Sequence, residues 1–126
     1  MPLVRIDLLE GRSAEERAAI GAAVHEAMTE TIEVPADDVF QVITEHPAGG
    51  IRFDPHYLGV ERDEGIVFVH MTMRRGRSDA QKCALYARIA ALLEERAGVR
   101  PGNVLIVLAE NELIDWSFGN GEAQIA

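Results

Sequence analysis

The 126-residue chain is long enough for one domain with a single hydrophobic core and too short for two independent domains. Its formal net charge of -9 argues against a nucleic-acid or anionic-membrane partner, because phosphate groups would be repelled. The single cysteine excludes an internal disulfide, and no apolar run approaches the roughly 18 residues of a membrane span. We therefore expect one cytoplasmic domain, residues 1–126, with no nucleic-acid or membrane partner.

The chain contains an internal repeat, and the first element of the repeat is a predicted strand. Residues 11–45 align without a gap on residues 76–110 at a constant offset of 65, and ten of the 35 aligned pairs are identical. The similarity extends backwards into a segment where apolar residues recur at every second position, the period of a strand with one buried face. These alternating residues are Val4, Ile6 and Leu8 in the first half and Val69, Met71 and Met73 in the second.

Each of these strands is followed by a Gly-Arg-Ser turn and a predicted helix. Ser13 with Glu16, and Ser78 with Gln81, form capping boxes, in which the serine oxygen accepts from a first-turn amide and the longer side chain reaches back. An apolar stripe at helical spacing indicates the face of each helix that packs on the sheet. The stripes comprise Ile20, Val24, Ala27 and Met28 in the first helix and Leu85, Ile89, Leu92 and Leu93 in the second.

A short turn containing proline leads from each helix into a second predicted strand, at 39–45 or 104–110. A strand-helix-strand unit places its two strands in parallel with a right-handed crossover. The sequence therefore predicts an α+β fold of two fused βαβ units with pseudo-two-fold symmetry, whose four-stranded core sheet carries two helices on one face. The expected divisions are a first unit at 2–45, a connector at 46–65, a second unit at 66–110 and a C-terminal segment at 111–126.

Pro2 follows the initiator methionine and is small enough for that methionine to be removed. Removal would expose a secondary amine, which is both a titratable acid-base group and a nucleophile toward carbonyls. The alternative is a proline that only occupies the first position of a strand, where its missing N–H is tolerated. The matching position of the second half is Val67, so only one half offers this chemistry.

Three arginines, Arg74, Arg75 and Arg77, lie in the turn that follows the third predicted strand. The turn precedes a capped helix, whose free amides and positive end favour an anion. Guanidinium groups there are suited to bidentate binding of a substrate carboxylate, and Arg12 occupies the equivalent place in the first half. The alternative is a solvated turn whose arginines pair with nearby acidic side chains.

The other candidates for chemistry carry weaker signals. Asp37 and Asp38 lie just before the second predicted strand. A carboxylate there can orient water or raise the pKa of a nearby amine. The alternative is that they are turn residues, as most Asp-Asp pairs are. The four histidines show no metal-ligand spacing, so we expect neither a metal site nor another cofactor. Cys83 is interpreted as a small core residue of the second helix.

Together, Pro2, the turn at 9–13 and the βαβ repeat resemble the tautomerase superfamily, in which an amino-terminal proline is the catalytic group. Within that superfamily, the two fused units are most similar to malonate semialdehyde decarboxylase and its homologues. The resemblance implies a homotrimer and a small carboxylate substrate. It covers nearly the whole chain and includes the motifs Val34-Pro35-Ala36-x-Asp38, Arg75-x-Arg77-Ser78 and Asp115-Trp116-Ser117-Phe118-Gly119.

The resemblance also implies roles for individual residues. The catalytic proline corresponds to Pro2, and the aspartate that directs water or the amine corresponds to Asp38. The two carboxylate-binding arginines correspond to Arg75 and Arg77, and Arg12 is a further candidate for substrate binding. A carboxylate anchored in this way would present its carbonyl or α-carbon to the Pro2 nitrogen in a fixed orientation.

The resemblance further implies that Trp116 and Phe118 wall the substrate pocket. The chain departs from the decarboxylase at three positions: Val39 replaces a charged residue, Phe40 replaces a tyrosine, and Arg74 adds a third positive charge. Arg74 is accordingly another candidate for substrate binding. The departures leave the class of site unchanged and bear on which substrate it accepts.

The expected activity is decarboxylation of a small 3-oxo acid, with hydration of an activated double bond as a side activity. The first alternative is keto-enol tautomerisation of a 2-oxo acid, such as a phenylpyruvate-like or enol-pyruvate substrate. Protonation of Pro2 divides these reactions, because a neutral amine acts as a base and a cationic amine polarises a carbonyl. The second alternative is a non-catalytic module that binds a small ligand or assembles subunits.

Overall fold

The computed structural model describes residues 2–126, so the question of whether Met1 is removed lies outside the described residues. Three short 3-10 helices, Tyr57–Gly59, Pro101–Asn103 and Leu113–Asp115, lie in the connections and after the last strand. The principal elements, in chain order, are β1 (Pro2–Leu9), α1 (Ala14–Thr31), β2 (Gln41–His46), β3 (Val67–Arg74), α2 (Asp79–Ala97) and β4 (Val104–Asn111).

The four strands form one mixed sheet in the order β2-β1-β3-β4. Strands β1 and β2 are parallel, as are β3 and β4, because a helix crosses over within each half. The halves meet where β1 pairs with β3 in the antiparallel sense, with Pro2 in register with Met73. The predicted architecture is therefore confirmed: two βαβ units related by a pseudo-two-fold axis share one sheet, with both helices on the same face.

Both helices begin as the capping-box pattern predicts. The amide of Glu16 donates to Ser13 Oγ at 3.1 Å, and the amide of Gln81 donates to Ser78 Oγ at 3.2 Å. In each case the side chain of the third helical residue accepts from the serine amide in return. The turns that lead into the helices need glycine, because Gly11 and Gly76 have φ values of 125° and 130°.

The hydrophobic core lies between the helices and one face of the sheet. Alternate residues of β1 and β3 point into it, and both predicted helical stripes are fully or almost fully buried. The strand residues of this core are Val4, Ile6, Leu8, Val67, Val69, Met71 and Met73.

Neither α1 nor α2 covers the opposite face of the sheet. Its apolar side chains include Leu3, Val42, Leu105 and Val107, which are between 38% and 48% exposed. Arg5 and His70 lie in register between Val42 and Val107, so apolar and polar side chains are mixed on this face. Exposed apolar side chains on an uncovered sheet face are typical of a surface that contacts a partner.

Two details differ from the sequence-based expectations. Strand β2 starts at Gln41, two residues later than predicted, and leaves Val39 and Phe40 about half exposed before it. The Val4 amide still donates to the Phe40 carbonyl, so the chain is aligned with the sheet before the strand begins. The interpretation of Cys83 as a core residue was wrong, because its position on α2 faces solvent.

Within residues 2–126, neither α1 nor α2 combines the length and the apolar character that crossing a bilayer requires.

Candidate active site

One end of the sheet gathers most of the predicted site residues. Strand β1 begins there with the buried Pro2, and strands β3 and β4 end there, with Met73 in register with both Pro2 and Glu110. Helix α1 ends and α2 begins at the same end, because each crossover returns the chain to the start of a parallel partner. The fold thus brings Pro2, Asp38 and the arginine turn to one end of the sheet from distant parts of the sequence.

Arg77 is held in a defined position between the two helices. Its Nη2 donates to the carbonyl of Ile32, just beyond α1, at 3.4 Å, and its Nη1 donates to the carbonyl of Arg74 at 3.2 Å. The side chain is half-buried and lines a small polar cavity of about 150 Å³ together with Arg74 and Glu33. Two cationic groups in such a cavity favour an anionic ligand.

The charges around Arg77 show which side chains share its environment. Burial lowers the pKa of the Arg77 guanidinium, and the nearby positive charge of Arg74 lowers it further. The carboxylates of Glu110, Asp38 and Glu33 act in the opposite direction. The structure therefore brings Asp38 and Arg77 within electrostatic reach of each other.

Glu33 is a residue of this site that the sequence analysis missed. It follows the end of α1 with a φ of 59°, a left-handed conformation that non-glycine residues adopt only at an energetic cost. At the offset of 65 its counterpart is Gly98, which ends α2 with a φ of 64°. The repeat thus contained the signal, since a glutamate stands in the first half where the second half has the expected glycine.

Arg75 points to a different partner from Arg77. Its Nε donates to Oε1 of Glu112 at 2.5 Å, and both side chains are about 60% exposed. The Arg75 amide also donates to the carbonyl of Asn111, the last residue of β4, at 2.8 Å. Arg75 therefore links the arginine turn to the start of the C-terminal segment, and the sequence analysis did not anticipate Glu112 as its partner.

Trp116 and Phe118 line a cavity of about 420 Å³ on the open face of the sheet. Their rings stack with centroids 5.6 Å apart, and Phe40 packs against Phe118 at the same distance. The indole Nε1 of Trp116 donates to Oδ1 of Asn111 at 2.7 Å, which fixes the ring next to the end of β4. Leu3 of β1 completes an apolar wall.

The aromatic cavity and the arginine cavity are distinct openings at the same end of the sheet. The larger cavity, lined by the aromatic rings, has Asp115 as its charged side chain, whereas Arg74 and Arg77 line the smaller one. The predicted walls and the predicted anchors thus lie on neighbouring elements without sharing one pocket in a single chain.

Arg12 lies at the opposite end of the sheet. Its Nη2 donates to the carbonyl of Gly65 at 2.8 Å. Beside it, Asp63 accepts hydrogen bonds from the amide of Gly65, from Asn103 and from Arg100. The connector thus fills this end of the sheet, and Arg12 does not join the other predicted site residues.

The arrangement at the Pro2 end suits acid-base or nucleophilic chemistry on a small anion. It combines a proline on a buried strand, a half-buried carboxylate and guanidinium groups in polar surroundings. Among residues 2–126, His, Cys, Asp and Glu side chains do not assemble in threes in a way that would hold a metal ion.

Comparisons with known proteins identify relatives over the whole chain. Two family models, each described as a tautomerase enzyme, match residues 38–119 and residues 2–61. Probable tautomerase YusQ of Bacillus subtilis (strain 168) is 43% identical over 125 residues, which cover 99% of this chain and 98% of that protein.

Solved structures give the same picture. A malonate semialdehyde decarboxylase studied for its decarboxylase and hydratase activities is 33% identical, with a TM-score of 0.92 over 98% of this chain and 95% of that one. FG41 malonate semialdehyde decarboxylase inhibited by 3-bromopropiolate is 40% identical, with a TM-score of 0.92 over 97% and 92% of the two chains. A fused 4-OT symmetric trimer, 20% identical over 98% and 97% of the chains, shares the fold with a TM-score of 0.79.

Proposed function

Because the chain belongs to the tautomerase superfamily and to its malonate semialdehyde decarboxylase-like group, we propose that this enzyme decarboxylates a small 3-oxo acid. The observation that carries the proposal is the near full-length similarity to two malonate semialdehyde decarboxylases. It is supported by Pro2, Asp38, Arg75 and Arg77, which stand at the motif positions and lie at one end of the sheet.

Substrate binding in this proposal begins with the carboxylate. Arg77 is half-buried and fixed by two backbone carbonyls, so its guanidinium is oriented before the substrate arrives. Arg75 provides a second guanidinium on the solvent side of the same turn. A carboxylate held there turns the reaction at the Pro2 nitrogen into an oriented, effectively intramolecular step.

The bond-breaking step uses Pro2 as a cationic amine once Met1 has been removed. Protonated Pro2 donates to the oxygen of the 3-carbonyl, and the electron pair of the bond between C1 and C2 moves toward that carbonyl as carbon dioxide leaves. The resulting enol takes a proton from solvent at C2 and returns its hydroxyl proton to Pro2, which yields an aldehyde or ketone and restores the cationic amine. Asp38 stabilises the cationic amine and orients water, which would also allow hydration of an activated double bond.

Keto-enol tautomerisation of a 2-oxo acid is the second candidate. The observation that favours it is the 43% identity to a protein described as a probable tautomerase. The same residues would serve, with neutral Pro2 removing a proton from the α-carbon and returning it to another atom. The protonation state of Pro2 therefore decides between the two reactions.

We further propose that the enzyme is a cytoplasmic homotrimer. The open face of the sheet presents exposed Leu3, Val42, Leu105 and Val107, and a fused 4-OT of the same fold forms a symmetric trimer. A trimer would cover this face and place a neighbouring subunit next to the aromatic cavity. Size-exclusion chromatography with light scattering should give three times the chain mass of 13.8 kDa, and a stable monomer would contradict the assembly.

The decisive experiment is a screen of small 2-oxo and 3-oxo acids that follows carbon dioxide release and proton exchange separately. Decarboxylation of 3-oxopropanoate would support the first function, and exchange at the α-carbon of a 2-oxo acid without carbon dioxide release would support the second. Intact mass spectrometry of the same sample should show loss of Met1, because a retained methionine converts the Pro2 nitrogen into an amide and removes the chemistry.

A further inference from the structure

The interaction between Arg75 and Glu112 has a form that bears on substrate binding. The Arg75 guanidinium is a predicted anchor for a substrate carboxylate, yet its Nε already donates to a carboxylate oxygen of Glu112 at 2.5 Å. Glu112 thus already engages one donor of that guanidinium, with the same chemical group that a substrate carboxylate would offer. Arg77 differs, because the acceptors of its hydrogen bonds are backbone carbonyls.

We propose that Glu112 sets the affinity for the substrate, because a substrate carboxylate must displace the Glu112 carboxylate to bind Arg75 through Nε. This inference rests on the proposed function, in which the arginine turn anchors the substrate. It makes Glu112 an internal competitor, so the enzyme binds small carboxylates more weakly than its arginines alone would allow. The residue sets the substrate concentration at which the enzyme works and leaves the bond-breaking step unchanged.

The ion pair is built so that it can open without unfolding its surroundings. Both side chains are about 60% exposed, and exposed ion pairs contribute little to stability. The backbone of Glu112 is held independently, because its amide donates to Oδ2 of Asp115 and its carbonyl accepts from the Asp115 amide. The Glu112 side chain can therefore swing into solvent while the segment that carries Trp116 stays in place.

A second carboxylate, that of Glu110, lies next to the arginine turn and affects how an anion reaches it. Lys82 donates to Glu110 at 2.9 Å, and this bond lowers the pKa of Glu110, with Arg75 and Arg77 lowering it further. Glu110 therefore stays ionised next to the arginine turn. Of the two carboxylates that follow one another closely at the end of β4, Glu110 is about a quarter exposed and bonded to Lys82, whereas Glu112 is about 60% exposed and can leave.

The test is the binding of propionate, a small carboxylate that cannot be decarboxylated by this route. In 15N-labelled protein, the Nε–H signal of Arg75, assigned by its loss in Arg75→Gln, should shift on titration with propionate. Glu112→Gln should lower the propionate Kd about two- to fivefold, the range expected for release of one exposed ion pair. In kinetics with 3-oxopropanoate, the same variant should lower KM by a similar factor and leave kcat unchanged.

The matched control is Glu26→Gln, which removes one negative charge and one ion pair, that with Arg96 between the helices. It should leave the propionate Kd unchanged. In an Arg75→Gln background, Glu112→Gln should have no further effect on Kd. Thermal unfolding of each variant shows whether the chain is folded.

Three results would overturn the inference: equal Kd values for wild type and Glu112→Gln, an equal gain in the Arg75→Gln background, or no propionate binding by any variant. The outcome is separable from that of the proposed function. If 3-oxopropanoate is not decarboxylated but the Kd pattern holds, the proposed function fails and the role of Glu112 stands. If decarboxylation occurs without the Kd pattern, Glu112 is not a competitor.

Discussion

At one end of the sheet, Pro2 and Asp38 share their surroundings with the arginine turn; at the other end, the residues 65 positions later are Val67 and Asn103. The arginines correspond as well, since Arg77 of the second half matches Arg12 of the first. At the Pro2 end Arg77 lines a cavity, whereas Arg12 donates to the carbonyl of Gly65. Two ends built from the same repeat therefore differ in what fills them.

The connector explains the difference. The chain reaches Val67 through residues 63–66, and Asp63 accepts hydrogen bonds from the buried Asn103 and from the amide of Gly65. In the first half, β1 starts at Pro2, and the connector bonds instead to Asn103 and Arg12 at the other end of the sheet. The repeat therefore supplies one scaffold twice, and the connector fills the end of the sheet at which Arg12 lies.

The largest effect should come from the pair Pro2 and Val67. Pro2→Ala should lower kcat by about 10²- to 10⁴-fold, the usual contribution of one acid-base group, with little change in stability. Val67→Ala should leave kcat unchanged and lower the free energy of unfolding by roughly 1.5 to 3 kcal/mol, because the side chain is fully buried. Steady-state kinetics and urea denaturation measure the two effects, and full activity of Pro2→Ala on every oxo acid tried would remove Pro2 from the mechanism.

The two arginines should separate in the same way. Arg77→Ala should lower kcat/KM, because it removes about 2 to 4 kcal/mol of the free energy of carboxylate binding, by analogy with other truncated charged hydrogen bonds. Arg12→Ala should lower the melting temperature, through loss of the bond to Gly65, and leave kcat/KM unchanged. Equal kinetic losses in the two variants would mean that both ends of the sheet bind substrate.

The next pair is Asn103 and Asp38. Asn103→Ala should lower the free energy of unfolding, because it removes a buried side chain that bonds to both the amide and the carboxylate of Asp63. Asp38→Asn should keep the fold and lower kcat, since it removes the charge that stabilises the amine. Denaturation curves and steady-state kinetics measure the two effects. A stability loss confined to Asp38→Asn would mean that Asp38, and not Asn103, has the structural role.

The smallest expected effect is on the stability of the fold at acidic pH. The backbone hydrogen bond from Gly65, followed by that from Asn103, lowers the pKa of Asp63 below its ordinary value. A carboxyl group whose pKa is lower in the folded state stabilises the fold above the unfolded pKa and loses that contribution as the pH falls through the folded pKa. Asp63→Asn should therefore flatten the fall in stability below about pH 4 relative to wild type, in urea denaturation at several pH values. Parallel curves for the two proteins would show that Asp63 makes no such contribution.

The fold could be predicted from the sequence because the repeat specifies it twice. The caps at Ser13 and Ser78, the apolar stripes and the alternating strand residues each have a local period, and the structure contains all of them. The start of β2 was placed too early, because Val39 and Phe40 are apolar like strand residues but lie outside the sheet. Local pattern does not distinguish an apolar residue in the core from one on the open face.

The site was less predictable because its contacts depend on side chains from separate elements. Pro2, Asp38 and Arg77 stand out by residue type and family motif, and the sheet order explains why they share one end. The partner of Arg75 could not be inferred, because Glu112 is one of 21 acidic residues and only the end of β4 brings it near. Cys83 was misplaced for a similar reason, because small residues occupy exposed as well as buried positions of a helix.

The left-handed backbone of Glu33 has a consequence for engineering this protein. Glycine at that position, as at Gly98 in the other half, would remove a backbone penalty of about 1 kcal/mol or more. The same substitution would remove a carboxylate whose negative charge acts to raise the pKa of Arg77. A design procedure that scores stability alone would select Glu33→Gly, although the change would remove a negative charge beside Arg77. At position 33, a change that stabilises the backbone would therefore also alter the charge of the cavity that Arg74 and Arg77 line.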